Sequence, residues 1–97
     1  MPTALWISHV SVIDPEAHGE YAKRAVAAID EYGGDFLVRG GASVQLEGAE
    51  RQRHIVVRFP SLKAAQNCYK SATYQEALSF AKGASERDLY IVEEVES

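Results

Sequence analysis

The pattern of hydrophobic and polar residues along the chain predicts four strands. Runs rich in β-branched, aromatic and other apolar residues are typical of strands, and four such runs stand out. They are Ala4–Ile13, Phe36–Arg39, Arg53–Phe59 and Asp88–Val95. The glycine pair Gly40-Gly41 predicts a bulge or bend after the second run, beyond which we expect that strand to resume through Val44 and Leu46.

Two helical regions separate these strands. The first begins at Asp14-Pro15, a capping side chain followed by a residue that needs no amide hydrogen, and it ends at Gly33-Gly34. Ser61 caps the second region, and Ser71 restarts it as a separate helix that ends at Gly83. Between these signals the apolar residues recur at helical spacing, which predicts one buried face for each helix.

The resulting order, β-α-β-β-α-β, predicts a single α+β, ferredoxin-like domain over residues 1–97. Its four-stranded antiparallel sheet would carry the helices on one face, and a face that meets water should be polar. The first strand is instead apolar on both faces, with Trp6, Val10 and Val12 on one and Leu5, Ile7 and Ile13 on the other. We therefore expect a second copy of the chain to cover the free face, in a two-fold homodimer.

Composition narrows the classes of function. The net charge of -4 argues against a nucleic-acid-binding protein, which is usually basic. No apolar run reaches the roughly 18 residues of a membrane span, and the start of the chain does not read as a signal peptide. The single cysteine, Cys68, suits a reducing compartment, so we expect a cytoplasmic protein, and we expect that thiol to be buried and inert.

Several motifs stand in order along the chain, and the run Gly-Gly-x-Phe-Leu-x-Arg-Gly-Gly at 33–41 is the most specific of them. The others are Asp14-Pro15-Glu16, Tyr21, Tyr32, Phe59-Pro60-Ser61, Ala64-Ala65, Tyr69 with Ser71, Tyr74 and Asp88–Glu93. On these residues the chain resembles domain-of-unknown-function family number 1330, a family of small uncharacterised proteins. The resemblance implies a dimeric α/β barrel in which two sheets pack face to face, and it implies no established activity. The chain departs from the family at Lys82, where members tend to have arginine, and at Glu94, where they tend to have glycine.

Arg39 is the first candidate for chemistry. Strand alternation places it on the face of Leu37, opposite Phe36 and Val38, and therefore toward the free side of the sheet. A guanidinium there can grip a carboxylate or an enolate with two hydrogen bonds. The alternative is a structural ion pair with an acidic residue such as Glu93 or Glu47.

Three further cationic or titratable residues are predicted on the same free face: His9 on the first strand, and His54 and Arg58 on the third. Such a cluster in an acidic protein favours a small anionic ligand, and a histidine near neutral pH is suited to act as general acid or base, which makes His9 the catalytic candidate. The alternative is that His54 and Arg58 lie at the solvent end of their strand, and that His9 is an interface residue held by hydrogen bonds.

Tyr69 and Tyr74 flank the break between the two later helices, where their hydroxyls either reach a ligand pocket or serve the core. His18 is expected to be solvated on the first helix. No phosphate-binding loop or nucleophile motif is present, and the histidines have no metal-ligand spacing, so we expect neither cofactor nor metal.

Three hypotheses about function follow. The first is a homodimeric α/β barrel that binds a small anionic organic metabolite, such as an organic acid, between the sheet and the helices. The second is a cofactor-free isomerase, lyase or monooxygenase, in which Arg39 stabilises an enolate-like oxyanion and His9 moves the proton. The third is a structural or regulatory interaction module whose sheet faces are filled by apolar side chains.

Overall fold

The computed structural model describes residues 2–95, and in them four strands and three helices follow one another along the chain. They are β1 (Ala4–Val12), α1 (Pro15–Glu31), β2 (Asp35–Arg39), β3 (Arg53–Phe59), α2 (Leu62–Lys70), α3 (Ala72–Ala81) and β4 (Ser85–Glu93). The strands form one sheet in the order β2-β3-β1-β4, and all neighbouring strands are antiparallel. The α+β, ferredoxin-like architecture is confirmed, with the second helical region divided into α2 and α3.

The helix boundaries follow from the capping residues. Asp14 accepts a hydrogen bond from the amide of Ala17 at 3.3 Å, with Pro15 in the first turn of α1. Ser71 both ends α2 and caps α3, since its hydroxyl donates to the carbonyl of Cys68 and accepts from the amide of Tyr74. The predicted break at Ser71 is confirmed.

Two strand predictions are wrong. Val44 and Leu46 belong to no strand and are 83% and 86% exposed, because the chain turns away from the sheet edge at Gly40, whose φ is +71°. The last strand begins at Ser85 rather than Asp88, since the ladder with β1 continues as far as Val12. Its start is set by this pairing and not by its own apolar pattern.

The core lies between the sheet and the helices. Trp6 is 2% exposed, and its ring packs against those of Phe59, Tyr69 and Tyr74 at centroid distances of 5.7, 6.0 and 5.1 Å. Cys68 is fully buried in the same cluster, and burial raises the pKa of its thiol to about 11. The expectation of a buried, unreactive cysteine is thus supported by its surroundings.

The opposite face of the sheet, here called the open face, is apolar at its centre. Two rows of paired residues cross it, one formed by Tyr90, Ile7 and Val56 and the other by Val92, Leu5 and Arg58. Tyr90 is 61% and Val92 49% exposed, whereas the buried residues of all three helices pack against the Trp6 side. The sheet therefore has hydrophobic side chains on both faces, as the sequence predicts.

Candidate functional site

A β-bulge in β2 sets the direction of Arg39. Phe36 pairs with Val57, but Val38 pairs with Val56, so that Leu37 is the extra residue of the bulge. Beyond it the alternation is reversed, and Arg39 lies on the helix side of the sheet together with Phe36. The guanidinium carbon of Arg39 is 4.8 Å from the centre of the Phe36 ring. The prediction that Arg39 faces the free side is wrong, and Val38 is the residue that points there.

A cavity of about 140 Å³ lies between α1 and the sheet. One wall belongs to the sheet and carries three arginines among apolar side chains: Arg39 on β2, Arg53 on β3 and Arg87 on β4. The other wall belongs to α1 and combines the apolar residues Ala22, Ala25, Val26 and Ile29 with His18 and Tyr21. We call this cavity the arginine pocket.

Gly40 allows the Arg53 guanidinium to approach the end of β2 closely. A Cβ atom at Gly40 would lie 2.7 Å from Nη2 of Arg53, so the Arg53 guanidinium rests against the backbone that follows Arg39. The positive φ of Gly40 is a conformation that other residues rarely adopt. The turn therefore favours glycine after Arg39, and the absence of a side chain there leaves room for the Arg53 guanidinium.

The six arginines of the chain divide into two sets of three. The arginines outside the pocket each pair with a carboxylate: Arg24 with Glu20 at 2.6 Å, Arg51 with Asp88 at 3.3 Å and Arg58 with Glu94 at 2.6 Å. Within residues 2–95, the three pocket arginines form no ion pair, and no acidic residue lines the pocket. The pocket therefore holds three positive charges without a counter-charge from the described part of the chain.

Among residues 2–95, the hydrogen-bond partners of Arg87 are neutral. Its Nη2 donates to the hydroxyl of Tyr21 at 2.7 Å and to that of Tyr74 at 3.0 Å, and the two hydroxyls are 2.7 Å apart. Burial, together with the neighbouring Tyr74, raises the pKa of Tyr21, so this phenol stays protonated and cannot neutralise the guanidinium. The Nε atom of Arg87 is buried and has no hydrogen-bond partner among residues 2–95.

His18 lies on the wall of the pocket and not in solvent, so the expectation of a solvated histidine is wrong. It sits one turn before Tyr21 on α1, its ring 5.6 Å from the Tyr21 ring, and it is 6% exposed. Burial, and then the charges of Arg53 and Arg87, lower the pKa of His18. The imidazole is therefore neutral near pH 7, and its Nδ1 lacks a partner in the described part of the chain.

His9 and His54 are brought together on the open face, as the sequence predicts. They are register partners on β1 and β3, with their Nδ1 atoms 2.7 Å apart, so that one ring donates a hydrogen bond and the other accepts it. The pair borders a shallow hollow of about 450 Å³ together with Arg51, Asp88 and residues of the loop 44–49. Because the sheet separates His9 from Arg39, the predicted joint action of these two residues on one ligand is wrong.

The remaining predicted site residues are dispersed. Arg58 lies on the open face, where Glu94 binds it through two oxygens at 2.6 and 3.1 Å. Tyr69 is 36% exposed and borders a separate hollow beside Leu89 and Ile91. Tyr74 is fully buried and reaches the pocket only through its hydrogen bond with Arg87. The ligand-binding roles assigned to these residues remain predictions.

Three pocket residues, Arg53, Arg87 and His18, are absent from the candidates that the sequence suggested. A signal for two of them exists in the alternation of the strands. Arg53 is in phase with Ile55, Val57 and Phe59, and Arg87 is in phase with Leu89 and Ile91. A charged residue in phase with a buried face is unusual, and it marks a site where charge is held inside the protein.

Two other kinds of feature are absent from the described residues. Residues 2–95 contain no group of three or more histidine, cysteine, aspartate or glutamate side chains arranged to hold a metal ion. Among the described helices, none combines the length and the apolar character that crossing a membrane requires.

The chain belongs to the DUF1330 family, a domain of unknown function, whose family model matches residues 3–95. No curated protein matches the chain. The family description therefore assigns no activity.

Solved structures of similar fold are more numerous. A protein of unknown function from Rhodopseudomonas palustris is 16% identical, with a TM-score of 0.78 over 99% of this chain and 85% of that one. SnoaB, a cofactor-independent oxygenase from Streptomyces nogalater, is 10% identical, with a TM-score of 0.65 over 100% and 97%. A dimeric protein of unknown function and ferredoxin-like fold from Bacteroides fragilis is 10% identical, with a TM-score of 0.63 over 95% and 96%. At these identities the likeness establishes the fold alone.

Proposed function

We propose that this DUF1330 protein binds a small anionic organic metabolite in the arginine pocket, between the sheet and α1. The observation that carries the proposal is the charge of the pocket. Arg39, Arg53 and Arg87 have no carboxylate partner in residues 2–95, while every other arginine of the chain has one. Guanidinium groups stay charged at all physiological pH values, so the pocket attracts a counter-ion from outside.

Among the three pocket arginines, Arg87 has the strongest requirement for a counter-ion. A partly buried charge is unfavourable unless it is paired and its hydrogen-bonding groups are satisfied. Arg87 is bound only by the neutral phenols of Tyr21 and Tyr74, and its Nε is unused among the described residues. An anionic oxygen brought by a ligand would balance this charge.

The other wall of the pocket favours an organic ligand over an inorganic anion. Ala22, Ala25, Val26 and Ile29 of α1 face the arginines across the cavity. A ligand that fits has an acidic group at one end and a small apolar part at the other. The volume of about 140 Å³ resembles that of a cavity of about 150 Å³ that holds benzene, which limits the ligand to roughly six to eight non-hydrogen atoms.

The open face supports the second part of the proposal, a homodimer formed through this face. Its central rows expose Tyr90 and Val92 beside Leu5, Ile7 and Val56, and contiguous exposed apolar surface is typical of an interface. The same fold occurs in a protein described as dimeric, which supports a second copy as the partner. Two sheets packed through these faces would leave both arginine pockets on the helix sides of the dimer.

A cytoplasmic location completes the proposal. Cys68 is a buried free thiol, and the sequence contains no second cysteine with which it could form an internal disulfide. Free thiols of this kind are usual in reducing compartments.

The experiment that tests binding is a thermal-stability screen with small acids at fixed ionic strength. The panel contains sodium salts of acetate, pyruvate, 2-oxobutyrate, succinate and butyrate, with sulfate and phosphate as inorganic anions and chloride as the reference. A ligand at 100 times its Kd stabilises a protein by about 2.7 kcal/mol, which corresponds to a Tm increase of roughly 10 °C or more for a domain of this size. At least one organic acid is expected to raise Tm in the wild type and not in Arg87→Met. No shift with any acid, or equal shifts in both proteins, would contradict the proposal.

A further inference from the structure

We propose that the arginine pocket enolises a small 2-oxo acid, with His18 as the group that removes the proton from the carbon beside the carbonyl. This inference rests on the proposed function, because the acid must first bind to the arginines. It adds a substrate class and a reaction to that function, and it assigns the base to a residue on the same side of the sheet as Arg39.

His18 is the one group on the pocket wall, in the described part of the chain, that is suited to accept a proton. The arginines Arg39, Arg53 and Arg87, which reach the pocket from β2, β3 and β4, are permanently protonated. Tyr21, on the same helix as His18, is a neutral phenol whose pKa is raised by burial. His18 itself is 6% exposed, and burial with the charges of Arg53 and Arg87 holds its imidazole in the neutral form that acts as a base.

The arrangement of charges fits a 2-oxo acid. One planar guanidinium binds the carboxylate through two hydrogen bonds, and a second guanidinium is then free to bind the carbonyl oxygen. Arg87 is suited to that second role because its Nε is unused and because it is fixed by Tyr21 and Tyr74. The short alkyl group of the acid would lie against the apolar residues of α1.

The step balances without any further reactant. The bond between hydrogen and the carbon next to the carbonyl breaks, and the proton moves to the unprotonated ring nitrogen of His18. The electron pair forms a carbon–carbon double bond, and the carbonyl oxygen becomes an oxyanion that the guanidinium groups stabilise. Return of a proton to the same carbon restores the acid, and in heavy water the returned particle is a deuteron.

Deuterium incorporation therefore measures the reaction directly. The full chain is incubated with pyruvate or 2-oxobutyrate in buffered heavy water, and the loss of the proton signal at the carbon beside the carbonyl is followed by NMR. We expect exchange at least tenfold faster than in buffer alone. In His18→Gln the protein-dependent exchange rate should fall at least tenfold, because a general base usually contributes at least this much. The Kd for the acid, measured by calorimetry, should change less than threefold.

A pH profile separates a base from a structural residue. For exchange by the wild type, kcat/KM should rise with pH and level off, with its midpoint below the ordinary histidine value of 6.5. The inflection should be absent in His18→Gln. His9→Gln makes the same substitution on the other face of the sheet, and loss of exchange in that variant but not in His18→Gln would overturn the inference.

The remaining outcomes distinguish this inference from the proposed function. Binding of either acid without protein-dependent exchange overturns the reaction and leaves the anion site intact. Failure of both acids to bind, while another organic acid of the panel does, overturns the substrate class and the inference with it. Failure of every organic acid to bind contradicts the proposed function itself.

Discussion

Arg39 and Phe36 lie on the same side of the sheet, with the guanidinium carbon 4.8 Å from the ring centre, although three positions along one strand separate them. In a regular strand, residues three apart point to opposite faces. The extra residue at Leu37 removes this difference, so the bulge turns a charged side chain from the open face into the arginine pocket. One inserted position in β2 thereby decides on which side of the sheet Arg39 lies, and with it the composition of the proposed anion site.

Arg39→Ala should weaken ligand binding without weakening the fold. Arg39 is exposed and forms no ion pair within residues 2–95, so its removal breaks no carboxylate contact. A hydrogen bond to a charged group contributes about 1.5–3 kcal/mol, which corresponds to a Kd increase of at least about tenfold. Calorimetry with the panel acid that raises Tm most measures the change in Kd. Chemical denaturation without ligand measures the change in the free energy of unfolding.

Arg58→Ala is the matched control for this variant. It removes the same side chain from the open face, where Arg58 is bound by Glu94. We expect its Kd for the acid to equal that of the wild type. If Arg39→Ala lost more than about 2 kcal/mol of unfolding free energy without ligand, Arg39 would be a structural residue instead.

Arg87→Met should leave the unliganded protein equally stable or more stable. Replacing a partly buried charge by an apolar side chain of similar length is often neutral or stabilising, and here it also removes repulsion among three arginines. Tyr21 and Tyr74 keep their mutual hydrogen bond at 2.7 Å. Urea denaturation without ligand measures the change, and a loss of several kcal/mol would show that the charge is already balanced within the protein.

The lowered pKa of His18 predicts a dependence of stability on pH. The unfolded chain binds a proton at His18 near the ordinary value of 6.5, whereas the folded protein binds it only at lower pH. The unfolded state therefore takes up more protons between these two pKa values, and this contribution to stability is complete above pH 6.5 and is lost as the pH falls toward the lower value. Chemical denaturation from pH 7.5 to 4.5 should show this loss, and His18→Gln should have a flatter profile; parallel profiles would argue against a neutral, buried His18.

Ile7→Asp should dissociate the proposed dimer. Ile7 lies at the centre of the open face between Tyr90 and Val56, and a buried unpaired carboxylate in an apolar interface is strongly unfavourable. Sedimentation velocity should show a dimer for the wild type and a monomer or unfolded chain for the variant. Thr73→Asp adds the same charge at an exposed position of α3 and should remain dimeric; a folded wild-type monomer at micromolar concentration would contradict the interface.

The sequence predicts the elements of this fold well because their signals are local. Asp14, Ser61 and Ser71 cap helices through hydrogen bonds to amides a few residues away, and these contacts form independently of the rest of the fold. The alternation in β1 likewise predicts that Trp6 is buried and that Ile7 is on the open face.

The site is less predictable because it depends on register. The bulge at Leu37 has no local signal comparable to a proline or a cap, and it reverses the side on which Arg39 lies. His18 is buried in the pocket that α1 forms with the sheet, to which β3 and β4 bring Arg53 and Arg87. Such contacts between distant parts of the chain are visible in the tertiary structure, whereas the sequence shows only a charged residue in phase with apolar neighbours.

The most direct test of the arginine pocket is NMR of the arginine side chains during titration with the panel acid that raises Tm most. The six Nε–Hε signals can be assigned with single Arg→Lys variants. Binding in the pocket should shift the signals of Arg39, Arg53 and Arg87 in a saturable way and leave those of Arg24, Arg51 and Arg58 in place. Saturable shifts confined to Arg51 or Arg58, or no saturable shift in any arginine, would contradict the account.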